Sequence, residues 1–425
     1  MKRNLYNQGQ AVITATIFFM AISLLVIMGI SGPVIRQIKI SNNLDRSTQS
    51  FYLSEAAGED AMYRIKNGLQ IDSQVTLSLA NYSATVNITD ISGGKEIISE
   101  GDVGNRIRKT KIVLTEGDGI AFNYGVQVGS GGLIMENGST ILGNIFSNGP
   151  ITGNGNIIRG NVISAGASGL IDGIHATGTA YAHTIQNSTI DKDAYYYTIS
   201  NTLVLETSHP ASPDQPLAAL PITDEKIAEW EALAVAGGTT NCSGTLTIDT
   251  DQAIGPQKYT CNLLIKKNGT DVTLGGYIWA TGNITFDQSP NIYIDSSFTG
   301  KSLAVIADNP SDTTTSGKIV VEDNTTFTGA SGESYVLLLS QNNDAESGGN
   351  NLAIEIKNNI IGDVLIYAAH GLILTQNNAD LKEISGYKLK MKNNGEVIYD
   401  TGLANLLFDS GPSGGYSFDS WREVE

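Results

Sequence analysis

Cysteine is nearly absent from this chain of 425 residues: there are two, Cys242 and Cys261. No C-x-x-C and no Cys/His cluster exists to hold zinc, so no metal is expected. One pair can be a single disulfide or two buried thiols, and both readings stand. If closed, a loop of this size adds about 3 kcal/mol on the chain-entropy model. Also missing are a Gly-rich phosphate loop, a Ser-His-Asp set and a nucleotide fingerprint. Charge is scarce at 16% of residues, and basic residues are the scarcer kind, 26 against 43 acidic, for a net charge of −17. The first 70 residues carry a net +3 and the remainder −20. A polar part this acidic repels nucleic acid, which is therefore not expected as a partner.

Charge is wholly absent from residues 8–35. Within that run, residues 11–30 (Ala11 to Ile30) read AVITATIFFMAISLLVIMGI, the length needed to cross a hydrocarbon core. Lys2 and Arg3 precede it on what would be the cytoplasmic side, with Arg36 and Lys39 beyond it. A cleaved secretory signal and a segment that stays are the two readings. The run is longer than a usual signal core, and the pattern of residues 40–69 favours retention. Ile40, Leu44, Phe51, Ala57, Ala61, Ile65 and Leu69 recur in steps that are sums of three and four. Asn67-Gly68 offers a helix stop behind Lys66. The spacing predicts one helix of roughly 55 residues, about 80 Å long, passing through Pro33.

The opening MKRNLYNQGQAVITATIFF resembles a type IV prepilin leader, and RSTQSFYLSEAAGEDAMYRIKNG (residues 46–68) resembles the segment that follows the membrane helix in PilX-like minor pilins. The resemblance covers about the first 70 residues. It implies a leader of residues 1–9 ending at Gly9, and Gln10 as a new, methylated N-terminus. It also implies the inner membrane, other pilins and the pilus assembly machinery as partners. Pilins generally carry Glu at the fifth mature position, where this chain has Thr14. That departure fits a low-copy or tip subunit better than the repeating one. An unprocessed single-span anchor is the plainer alternative.

Beyond the helix (residues 10–70) the pattern becomes β. Residues 71–120 alternate apolar and polar around Gly93-Gly94, as in a small antiparallel sheet. From residue 121 a phrase bounded by glycine repeats: GNIFSNG (143–149), GNVISAG (160–166), GIHATG (173–178), GYIWATG (276–282) and GDVLIYAAHG (362–371). A recurring phrase at irregular spacing predicts a β-solenoid with variable turns, similar to bactofilin-type and other polymer-forming solenoids. Its two parts, residues 121–200 and 241–400, flank a Pro-rich linker and short helix at 201–240, where Thr223 is the candidate N-cap. Residues 401–425 are expected to be a flexible tail.

Carbohydrate-active enzymes often use β-helices, and their chemistry needs paired carboxylates. The candidates are Asp249 with Asp251, Asp191 with Asp193, and Glu322 with Asp323. All lie in contexts that suit solvated loops, and His175, His183, His209 and His370 are scattered. Residues 308–312 (DNPSD) offer oxygen ligands for calcium without EF-hand spacing. Tyr195-Tyr196-Tyr197 could be an aromatic patch for a glycan or protein ligand, or a strand pairing. The expectation is a mainly β, non-catalytic, cofactor-free structural or adhesive subunit. It is membrane-anchored by one pass, with its C-terminal part outside the cytoplasm. A membrane-anchored envelope scaffold and a secreted β-helix enzyme are the alternatives.

Overall fold

The computed structural model describes residues 6–66, 71–79, 82–91, 94–116, 122–136, 138–322, 324–331, 334–376, 379–400, 403 and 416–424. The proposed helix stop at Asn67-Gly68 and the turn residue Gly93 lie outside them. The chain divides into two compact units, residues 1–65, 70–115 and 418–425 in one and the bulk of the intervening chain in the other.

The first unit is a long helix and a five-stranded sheet. Helix α1, Tyr6–Lys66, is continuous over 61 residues, about 90 Å, with Pro33 inside it. Four strands, Gln74–Leu79, Tyr82–Ile91, Gly94–Asp102 and Ile107–Glu116, form an antiparallel meander. The fifth strand is Tyr416–Val424, paired at the edge beside Ile107–Glu116. Within the tail expected to be flexible, residues 416–424 are thus a strand of this sheet. Its serine- and glycine-rich approach hides a strand whose partner is some 300 residues earlier, and the large second unit is an insertion between two neighbouring strands.

The second unit is a stack of parallel coils. Its strands form a sheet of 25 and a sheet of five, each rung lying on the next at about 4.8 Å. Register is held by one inward column of Leu and Ile. Leu246, Leu263, Ile284, Ile319, Ile354, Ile373, Leu389, Leu133, Ile151, Ile171, Ile185 and Ile199 each pair with the next. Burial of each such side chain is worth about 1.5–3 kcal/mol. The column also shows the order of winding. Residues 126–210 and 239–398 form one stack, but they are not joined in chain order. The last rung of the later part, Glu383–Met391, pairs with the first strand of the earlier part, Val126–Met135. The chain thus starts in the middle, winds to one end at Ser208–Pro210, crosses to the other end at Thr239–Thr240, and winds back to the middle.

The expected repeat is partly displaced as well. The phrases at 143–149 and 160–166 do lie on one another, with Ile145 on Val162 and Phe146 on Ile163. At Gly160 any side chain would meet the Gly143 carbonyl oxygen at 2.3 Å, which explains the glycine. The third phrase is on another face: His175 pairs with Ile157, and the strand above Ile163 is Ala180–Gln186, with Tyr181 in register.

The crossing segment, residues 211–238, runs back along the stack as a strap. Gly166 N donates to Gln215 O at 2.9 Å. The Asn148 side chain donates to Ala218 O and accepts from Ala218 N, and Gln127 Nε2 donates to Ala219 O at 2.7 Å. Tyr367 OH donates to Ile222 O. The strap then forms α2, Asp224–Gly237, because Thr223 caps it by accepting from Lys226 N and two acids sit in its first turn. Ile227, Trp230 and Ala234 are its buried face, and Trp230 stacks on Tyr277 with ring centres 5.7 Å apart.

Candidate anchor and assembly interface

The two halves of α1 face different surroundings. In the first, the large apolar side chains from Val12 to Leu44 are bare, among them Phe18 at 68% and Phe19 at 74% exposure. Its apolar window has a mean hydropathy of 2.5 and buries nothing within the chain. In water each large side chain forfeits about 1.5–3 kcal/mol, so this half calls for lipid or other helices around it. Two of its hydroxyls are satisfied within the helix: Thr16 Oγ1 donates to Val12 O and Ser31 Oγ to Ile27 O.

The second half closes on the sheet through small residues. Ser50, Ser54, Ala57, Ala61 and Ile65 are buried at steps of three and four, with Leu53 buried beside Ser54. Gly58 lies against Ile112, and a side chain at Gly101 would meet the Ser50 carbonyl oxygen at 2.3 Å. Ser99 Oγ donates to Ser54 O at 2.6 Å, Thr110 Oγ1 reaches the same oxygen, and Ser50 Oγ faces the Gly101 and Arg106 carbonyls. The Ser, Ala and Gly positions of residues 50–61 thus serve close helix–sheet approach. Arg108 gathers the edge: it pairs with Glu423, donates to Ser47 Oγ at 2.8 Å and stands over the Phe51 ring. The hydrogen bond from Arg108 holds the Glu423 carboxyl below its usual range. Ile107, Arg108, Lys109, Glu423 and Val424 line an open groove of about 590 Å³ there.

In the second unit a face of stacked rings occupies the rungs nearest Ser208–Pro210. Tyr181 stacks on Tyr195 at 4.6 Å and Tyr195 on His209 at 4.2 Å, while His183 stacks on Tyr197 beside them. Tyr196 is buried and Tyr197 exposed, so the three consecutive tyrosines alternate as a strand should. Three histidines meet acids here: His175 with Asp191 and His183 with Asp214 at 3.0 Å, and His209 with Asp193 at 3.7 Å. The paired acids Asp191 and Asp193 are thereby spent on histidines of neighbouring rungs.

The other sequence candidates are kept apart. Asp249 and Asp251 are exposed, and Asp251 accepts from the Asp271 N–H of the next rung. Glu322 pairs with Lys357, and Asp323 lies outside the described residues. In the oxygen-rich loop at 308–312, Asn309 accepts from Ser311 N and Asp312 from Thr315 N, while Asp308 turns toward α2. Among the described residues no group of three or more His, Cys, Asp or Glu is placed to hold a metal ion. Cys242 and Cys261 are joined as a disulfide between adjacent rungs. Gly9 and Gln10 lie within the backbone of α1, ahead of the uncharged apolar run from Ala11 to Ile30. Sequence reasoning missed the pair Glu231 and Asp308, which lie 77 positions apart with no local signal.

No family model matches the chain, and no curated protein matches it. Among solved structures it is similar to the crystal structure of the competence-associated pilin ComZ from Thermus thermophilus. The two are 12% identical over 89% of this chain and 97% of that one, with a TM-score of 0.32.

Proposed function

We propose that the chain is a non-catalytic, membrane-inserted subunit of a type IV pilus-like filament, of the PilX-like minor-pilin kind. One observation carries this reading: α1 is a single helix whose first half is apolar and bare while its second half is closed onto a sheet by small residues. Such a helix can rest in the inner membrane and later pack among other pilin helices without refolding. The coiled unit, inserted between two strands of the sheet, is then an extracytoplasmic appendage. That bulk and the Thr14 position suit a tip or low-copy place, with the ring-bearing face as the surface for a glycan or protein ligand. No cofactor enters this role, and the likeness of the coils to bactofilin-type solenoids extends only to their glycine-bounded phrases.

The reading is tested by placing a photo-crosslinking residue at Phe19, in the bare half, and irradiating the producing cells. Covalent adducts with other pilins are expected, in membranes and in sheared filaments. Adducts with lipid alone would favour a single-span envelope scaffold.

A further inference from the structure

The strap ends in a helix whose charged side chains meet the coils at two places, and the pilin-like reading uses neither. In the first turn Asp224 accepts from His370 Nε2 at 3.4 Å and from Gln341 Nε2 at the same distance, while His370 Nδ1 faces Glu346. Two turns on, Glu231 lies beside Asp308, whose residue is only 9% exposed, and Glu231 Oε1 is buried with no hydrogen-bond partner. Between these places Ile227 and Trp230 are packed into the stack.

We propose that α2 is a proton-held latch that fastens the strap across the coils and opens as the solution becomes alkaline. Two neighbouring carboxyl groups largely withdrawn from solvent cannot both be ionised without large cost, so one of them holds a proton. Burial first, then repulsion from Asp308, raises Glu231 to about 8. Burial likewise raises Asp308. For His370, burial opposes the charged ring, but hydrogen bonds to Glu346 and Asp224 outweigh it and raise its pKa. Both groups therefore bind a proton more tightly closed than open. Their contribution is complete below the ordinary pKa values and is lost as pH rises through the raised ones. The two places then act in the same direction. The other groups facing α2 are Lys258, which favours the ionised acids but lies over the Trp279 ring, and Tyr259 and Tyr367, both raised by burial. Neither tyrosine ionises before the latch has opened. Asp224, Glu225, Lys226 and Glu229 are on the helix itself, the last two paired with each other.

The test is hydrogen exchange by mass spectrometry on the full chain in detergent micelles at pH 6 and pH 9, with rates corrected for intrinsic exchange. Protection of α2 is expected to fall by up to about tenfold per pH unit between pH 6 and pH 8, one proton leaving per opening, and to level off above that, while the inner strand Leu303–Ala307 keeps its protection. Glu231→Gln, which keeps the shape and cannot ionise, should leave α2 protected at both values. If that variant does not fold, Asp308→Asn is read by the same criterion. His370→Gln should loosen the first turn already at pH 6. Equal protection of α2 at the two pH values, or a Glu231→Gln chain that opens like the natural one, would overturn the proposal.

Discussion

A single methyl group at Gly101 would decide whether α1 can lie on its sheet. The Ser50 carbonyl is 2.3 Å from where that carbon would be, and backbone cannot give way as a flexible side chain can. Gly101→Ala should therefore destabilise the first unit by about 1–3 kcal/mol, read as an earlier thermal transition of that unit with the coils unaffected. The Cys242–Cys261 crosslink closes a separation of 19 residues across two rungs. Replacing both with serine should cost about 3 kcal/mol, seen as faster proteolysis near residues 240–262 while the rungs near Ser208–Pro210 resist as before. At this scale the sequence is informative where spacing is local. The small-residue run at 50–61 stands out, and its cause is the depth of helix–sheet contact. The Glu231–Asp308 pair is illegible because each acid alone looks like an ordinary exposed one.

Among the elements, the strap joins rungs that are distant along the chain. Trp230 is its largest buried anchor, fully enclosed against Tyr277. Trp230→Ala leaves a cavity worth about 3–5 kcal/mol, and cleavage within residues 211–238 should then precede any cleavage of the coils. The edge strand Tyr416–Val424 supports a second expectation. Removing it should leave Ile107–Glu116 as an unpaired edge, with faster exchange of that strand's amides. Alternation and β-branching make the meander at 74–116 readable, and Thr223 with its acidic first turn marks α2. The edge strand is not readable, since its Ser and Gly approach carries a loop signal and its partner is remote. The winding order is hidden for the same reason: nothing near residues 384–391 says that they pair with 126–135.

In the molecule as a whole, apolar surface is distributed unequally. The coils and the sheet bury most of theirs, and the apolar window in the first half of α1 buries none. The uncharged run is the plainest feature of the sequence, because a helix that satisfies its own backbone needs no distant partner to be recognised. A lysine at Ile22, near the middle of that run, should cost about 2.5–3.5 kcal/mol of insertion and shift the chain out of the membrane fraction. The most direct test of filament membership is to shear surface filaments from cells that make the protein and determine its N-terminus and intact mass there. A chain in the filament fraction beginning at methylated Gln10 is the expected result. A chain found only in membranes, still beginning at Met1, would contradict it.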